Sequence, residues 1–320
     1  MLMTRFVVSM FSVGMVLGAG AAFGQAYPNK PLRIVAAQPG SGSDIAVRLI
    51  VPGLSARLGQ PIVVDNRGGN VAIGGEIVWK AAPDGYTLLV NGGTLWPAAL
   101  LQKTPYDPVR DFAPIAILTR SPTVLVVHPS LPVTSVKELI ALAKARPGEL
   151  NYASAVQGSQ YAGELFKAMA GVNIVNIPYK GGGSAVNAVI GGEVRLYFGP
   201  ATVVAPHIQS GRLRGLAVGS AQQSALAPGL PTVAVAGLPG YEAGSIIGMF
   251  APAKTPEMII SRLNREIVQI LNQPDMKEKI FNAGTEIVGS SPAEFAAKIR
   301  DDMASMRKVL CGGQIACPGR

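Results

Sequence analysis

An α/β fold with mainly parallel sheets is predicted by three observations. Short apolar, β-branched runs alternate along the chain with amphipathic stretches. Most of those runs are continuous, the pattern of strands buried on both faces of a parallel sheet. The glycines collect where the runs meet helical segments, as punctuation for many short elements. The 320 residues exceed one ordinary core and suit two domains of about 150. Hydrophobic residues make up 48% and charged residues only 15%, which excludes intrinsic disorder. The 38 glycines and 25 prolines follow no collagen-like period.

In chain order, the first segment is a targeting signal. Arg5 is the only charge before Lys30, and residues 6–23 hold nothing more polar than Ser and Gly. Gly24 and Ala26 then stand at the −3 and −1 positions of a cut before Tyr27. This is the layout of a secretory signal peptide over 1–26. A retained anchor is the alternative, since about 18 apolar residues just span a bilayer. The glycine-rich run and small-x-small site favour cleavage, and no nearby cysteine offers lipid attachment. The expected mature chain is exported, periplasmic and not membrane-anchored. Loss of Arg5 lowers its net charge from +9 to +8.

Strands are expected at 32–37, 61–65, 86–90, 114–118, 123–127, 173–177, 195–198, 213–218 and 246–250. Ser135 and Glu138 form a capping box opening a helix that Pro147-Gly148 ends. Thr255-Pro256-Glu257 places a cap and an N1 proline before a helix with Leu263, Ile267, Ile270 and Leu271 on one face. Ser291 to Glu294 opens a last helix striped by Phe295, Ile299, Met303, Met306 and Leu310. In the tail 311–320, Cys311 and Cys317 can close a small loop in an oxidising compartment, while a zinc site lacks further ligands.

Two extended segments fenced by prolines, 120–132 and 238–256, suit a chain that crosses into a second lobe and returns. Lobe 1 is then 27–123 plus 246–310, and lobe 2 is 124–245. A sequential split near residue 130 is the alternative.

Three strand-loop-helix segments carry the candidate chemistry: 34–50, 151–169 and 176–190. A loop that opens a helix N-terminus presents unpaired amides and the positive end of the dipole, a geometry that binds anions. Glycine lets backbone approach the ligand, and serine hydroxyls add donors. Lys180 supplies a point charge there or is simply solvated. Asp44 is a capping carboxylate or a ligand contact. Trp96 and Tyr161 either stack on a ligand or pack.

Catalytic constellations are missing from the sequence. His128 and His207 stand apart, no G-x-S-x-G elbow or H-x-x-x-H pair occurs, and Gly40-Ser41-Gly42 fails at the third glycine of a dinucleotide fingerprint. No cofactor, metal or enzymatic activity is therefore expected. The pI of about 9.7 invites nucleic acid, but Lys and Arg are scattered singly or in pairs. A mildly positive field suits steering a small anion.

The motifs YPNKPLRIV, PGSGSD, VVDNRGG, AAPDGYTLLV, VLVVHPSLPVTSVKELIALAKARPGELNYAS, GELFK, IPYKGGG and GMFAPAKTP occur in this order. Together they resemble the substrate-binding receptors of tripartite tricarboxylate transporters, the TctC-like or Bug receptors. The resemblance implies a two-lobed periplasmic binding protein fold (type II-like, a Venus flytrap), each lobe a mainly parallel sheet flanked by helices. It implies a monomer that captures a small organic acid and delivers it to transporter membrane subunits. Carried over by position, the ligand-binding residues are Pro39, Gly40, Ser41, Gly42, Ser43 and Asp44; Ser154, Gly158 and Ser159; and Tyr179, Lys180 and Gly181. The chain departs from the family in a shorter second loop without its His, and in Asn187, Arg195 and Gly199 where acids are common. The missing acids make lobe 2 more positive. An exported module presenting a bound carboxylate to a signalling partner is the alternative function.

Overall fold

The computed structural model describes residues 27–68, 71–92, 95–96, 104–155 and 157–311. The signal segment 1–26, the tail from residue 312 with Cys317, and the side chains of Leu310 and Cys311 lie outside that description. The elements run β1 (Leu32–Ala36), α1 (Gly42–Leu58), β2 (Ile62–Asn66), α2 (Val71–Trp79), β3 (Thr87–Gly92) and β4 (Phe112–Val127). There follow α3 (Val136–Ala145), β5 (Asn151–Ser154), α4 (Gln157–Ala170), β6 (Val175–Pro178), α5 (Gly182–Ile190) and β7 (Leu196–Pro200). The chain continues with α6 (Ala201–Gln209), β8 (Arg214–Val218), α7 (Val233–Ala236) and β9 (Gly244–Pro252). It ends with α8 (Glu257–Leu271), α9 (Pro274–Asn282), β10 (Glu286–Ile287) and α10 (Pro292–Cys311).

The architecture is the two-lobed α/β fold. In one lobe β1 pairs in parallel with β2 and β3; in the other β5 pairs in parallel with β6 and β7. β1, β3 and β7 are buried apolar runs as expected, whereas β2 and β6, at the two ends of the strand order, are mostly half-buried or exposed. Both sheets become mixed where β4 and β9 enter, because each arrives from the opposite direction. β9 pairs antiparallel with β3 and β4, while β7 and β8 pair antiparallel with β4.

The strands expected at 114–118 and 123–127 are one strand of 16 residues. Its first part pairs with β9 and β10, and its last five residues pair with β7. The pairing continues through Arg120↔Ile246, Ser121↔Ser245 and Pro122↔Gly244, across the gap between the two expected strands. The register instead slips at Pro114/Ala116 and Ile117/Thr119, and such bulges let a long strand absorb residues that cannot donate. Thr123 closes the crossing: its Oγ1 donates to the Ala243 carbonyl at 2.9 Å and its own carbonyl accepts the Gly219 amide at 2.8 Å.

Period-two alternation sorts the apolar side chains into four cores. Leu32, Ile34 and Ala36 of β1 face α1, α8 and α9, whereas Val35 faces the α2 and α10 side. In the second lobe α3, α4 and α7 cover one face of the sheet and α5 and α6 the other. Each large apolar side chain buried this way contributes roughly 1.5–3 kcal/mol. On the α10 side Trp96, Phe250 and Phe295 meet at ring separations of 4.8 to 6.3 Å, so Trp96, 1% exposed, packs and does not stack on a ligand.

The expected caps at Ser135 and Ser291 are present. Ser135 accepts the Glu138 amide at 3.2 Å, but the Glu138 carboxylate returns to the Thr134 amide at 2.6 Å, one residue before the position a capping box uses, whereas Ser291 and Glu294 cap reciprocally. The helix expected to carry Pro256 at N1 begins one residue later, with Pro256 as its N-cap. Thr255 turns its hydroxyl back to the Pro252 carbonyl at 2.7 Å instead of capping.

Candidate functional site

The first loop leaves β1 at Ala36 and enters α1 at Gly42. Gly40 sits at φ 78°, a conformation glycine adopts without strain, and turns the chain so that Ser41 becomes the N-cap. Ser41 Oγ accepts the Asp44 amide at 3.3 Å and lies 3.2 Å from Ser43 Oγ, which in turn accepts the Ala37 amide. Gly42 and Ser43 follow as N1 and N2, positions whose amides a helix cannot satisfy internally. Pro39, Gly40 and Gly42 are exposed, Ser41 is half-buried, and Ser43 and Asp44 are buried.

Asp44 organises this loop. Its Oδ2 accepts the Gly40 amide at 2.9 Å, and its Oδ1 accepts Arg48 Nε and Asn66 Nδ2, both at 2.8 Å. Asn66 also donates to the Ala37 carbonyl at 2.7 Å and accepts from Arg48 at 2.9 Å. Burial alone would raise the Asp44 carboxyl, but the Gly40 amide, Asn66 and Arg48 together hold it below the usual carboxylate range. Both oxygens are thus committed within the loop, and Arg48 and Asn66 complete a framework that the sequence analysis did not identify. The Asp44-to-Arg48 spacing of one helical turn is the local signal for half of it; Asn66 arrives from β2. Beneath the loop, a Cβ on Gly42 would stand 3.0 Å from Ile247 Cδ1 of β9.

The second and third loops are neighbours. The Tyr179 amide donates to the Ser154 carbonyl at 2.7 Å, extending the β5/β6 pairing past Pro178. Ser159 Oγ accepts the Ala155 amide at 2.9 Å and is buried, so it folds the second loop onto α4. A Cβ at Gly158 meets nothing within 4 Å among the described residues. In the third loop Gly181 is the N-cap of α5 in extended conformation without a side-chain cap bond, and Ser184 returns its hydroxyl to the Gly181 carbonyl at 2.8 Å. Lys180 is exposed. Tyr179 is half-buried and donates its hydroxyl to Glu193 Oε1 at 3.0 Å. That bond and burial both push the phenol up, burial more.

Two of the departures have a visible setting. A Cβ at Gly199 would stand 2.4 Å from the Tyr197 ring and 2.6 Å from Val204 Cγ1, so an acid cannot enter where this tyrosine packs. The Tyr197 hydroxyl is buried without a hydrogen-bond partner among the described residues, lies 3.4 Å from where a Gly182 Cβ would be, and is pushed up to about 12 by burial. Asn187 is exposed on α5. Tyr161 donates to or accepts from Ser305 Oγ at 3.3 Å and packs between cores of both lobes. It lines a cavity of about 40 Å³ shared with Trp96 and Lys298, and an adjoining groove of about 470 Å³ between α4 and α10. No described residue of the three loops lines either space.

The comparisons with known proteins converge on one family. The sequence profile described as tripartite tricarboxylate transporter family receptor matches residues 46–311. The chain is 37% identical over 284 residues to protein BugT of Bordetella pertussis, covering 87% of each protein. Among solved structures it is similar to Rpa4515 of R. palustris with adipate, at 34% identity and a TM-score of 0.69 over 89% of this chain and 97% of that one. MatC from Rhodopseudomonas palustris with bound malate is 29% identical, with a TM-score of 0.67 over 88% and 99% of the two chains. A TctC solute-binding protein from Polaromonas, 23% identical, shares the fold at a TM-score of 0.81 over 90% of this chain and all of that one.

Proposed function

The chain belongs to the tripartite tricarboxylate transporter receptor family, and from that premise we propose that it is a periplasmic receptor for a small organic acid. The ligand is a dicarboxylate or an aromatic carboxylate, held between the two lobes and delivered to the membrane subunits of a tripartite transporter. The observation that carries this reading is the pairing of strand ends with helix starts. β1 runs into α1 and β6 into α5 through glycine loops whose amides point along the helix axis toward whatever lies before it. Adipate and malate in the two R. palustris relatives are anions of the class such loops hold.

In this reading lobe 1 is 27–123 plus 246–310 and lobe 2 is 124–245, with β4 and β9 as the crossing strands. Ser41, Gly42 and Ser43 grip one carboxylate from lobe 1, with Pro39, Gly40 and Asp44 fixing the loop's shape. Ser154, Gly158, Ser159, Tyr179, Lys180 and Gly181 form the lobe 2 side, where Lys180 adds charge and Gly158 admits the ligand. A ligand that bridges both lobes favours the closed arrangement by its differential affinity for it. Among the described residues no helix is long and apolar enough to cross a membrane.

Native mass spectrometry of the exported protein as purified, joined to a thermal-shift panel of organic acids, tests the proposal. A captured acid and a rise in melting temperature with adipate, malate or an aromatic acid are expected. A captured sugar or cation, or turnover of a bound acid without added cofactor, overturns it.

A further inference from the structure

The second loop opens α4, and the first turn of that helix has two neighbours. Ser159 turns toward the loop, whereas Tyr161, two residues on, turns toward α10. α10 itself begins in the core of one lobe with Phe295 and Ile299, and its Val309 packs against the core of the other. It therefore spans the same boundary as β4 and β9. Lys298 pins this helix to the segment entering β9, with its Nζ 3.1 Å from Glu242 Oε1 and 2.9 Å from Asp302 Oδ1. The Tyr161 ring touches both cores, and its hydroxyl lies 3.3 Å from Ser305 Oγ on α10.

The geometry points to Tyr161 as a positioning residue for the second loop, holding the first turn of α4 against α10. It does not touch the ligand; it fixes where Gly158 and the Ala155 to Ser159 turn stand relative to the first lobe. Further along α4, Ala162, Leu165 and Phe166 are buried in the second lobe's core and the Tyr241 hydroxyl donates to the Ala162 carbonyl at 2.9 Å, while the Tyr161 ring reaches the first lobe's core as well and so relates the start of the helix to that lobe. A ring is suited to this because it offers large contact area with few rotatable bonds. The inference rests on the receptor reading for its effect on affinity, but the positioning itself is a property of the ligand-free chain.

The test uses the mature chain and two readouts: amide hydrogen exchange over residues 157–163 without ligand, and titration with adipate and malate. Y161L keeps apolar volume but loses the ring and hydroxyl. It is expected to speed exchange over 157–163 by about tenfold, leave exchange in β5 and β7 unchanged, and weaken binding by about tenfold. Y161F keeps the ring and is expected to remain within about threefold of the parent in both readouts, a recovery that distinguishes ring positioning from general loss of structure. If Y161L does not fold, Y161M decides: it also removes the ring, and exchange over 157–163 rises by about tenfold if the ring registers the helix. Unchanged exchange over 157–163 in Y161L, or in Y161M where Y161L does not fold, overturns the inference, and so does acid binding by Y161L at parental strength. Failure of the parent chain to bind any acid, with the exchange result as expected, overturns the receptor reading and leaves the positioning role supported.

Discussion

The Ser159 hydroxyl accepts the amide of Ala155 at 2.9 Å while only 1% of Ser159 is exposed. A residue expected at the ligand is thereby also the brace of its own loop. S159A leaves the Ala155 amide without this acceptor and is expected to cost about 1–2 kcal/mol in urea unfolding. The thermal shift given by adipate should shrink in parallel. An unchanged urea midpoint would contradict the bracing role.

Glycines 40 and 158 separate conformation from space. At neither does an atom of the described residues lie within 4 Å of where a Cβ would stand, but only Gly40 sits at positive φ. G40A is expected to lose about 1 kcal/mol of stability, whereas G158A, inside α4, should be neutral or gain up to about 1 kcal/mol. Equal midpoints for the two variants in thermal unfolding would refute the assignment.

Asp44 predicts a pH dependence. Its folded carboxyl lies below its unfolded value of about 3.9, so the stability it contributes is complete above that value. It is lost as pH falls through the lower folded value. Urea midpoints between about pH 5 and 2 should therefore fall more steeply for the parent than for D44N, which starts less stable. Parallel curves would show that the carboxylate has no preferential partners in the folded state.

The buried Tyr197 hydroxyl has no partner among the described residues. Y197F removes a desolvated polar group and keeps the ring that fills the space over Gly199. Calorimetry should find the variant as stable as the parent or more stable by about 1 kcal/mol. A clear loss of stability would reveal a partner.

Gly248 gives the opposite extreme. A Cβ there would stand 2.1 Å from Phe295 Cζ, and that ring is held by Trp96 and Phe250. G248A is expected to cost about 2–3 kcal/mol by overpacking, measured by denaturant unfolding.

The parallel strands and the capped helices were legible because their signals are local. Ile34 and Val35 are both apolar since opposite faces of one sheet bury them, and Ser291 finds Glu294 within one turn. The single strand from Phe112 to Val127 was not legible, because Pro114 and Pro122 are strong local breakers and only the distant β9 shows that bulges accommodate the chain. The same division holds at the candidate site. Glycine loops announce themselves in sequence, and Arg48 stands one helical turn from Asp44. Asn66 joins them from β2 through a sheet, and the Tyr197 ring over Gly199 is a packing relation between alternate residues of a strand that pattern alone does not display.

Because β4 gives one stretch of backbone to both sheets, neither lobe is a complete unit once the chain is cut near residue 120. A fragment ending there would lack β9, which pairs with both β3 and β4, and a fragment starting there would keep the Thr123–Val127 stretch that β7 and β8 pair with but would strip β9 of most of its partner strand. The halves are therefore interdependent in assembly: whichever sheet orders first presents the other with an already extended template. Circular permutation in the surface turn at Gly148 would keep that shared template whole, while any new terminus opened between Thr119 and Thr123 would destroy it.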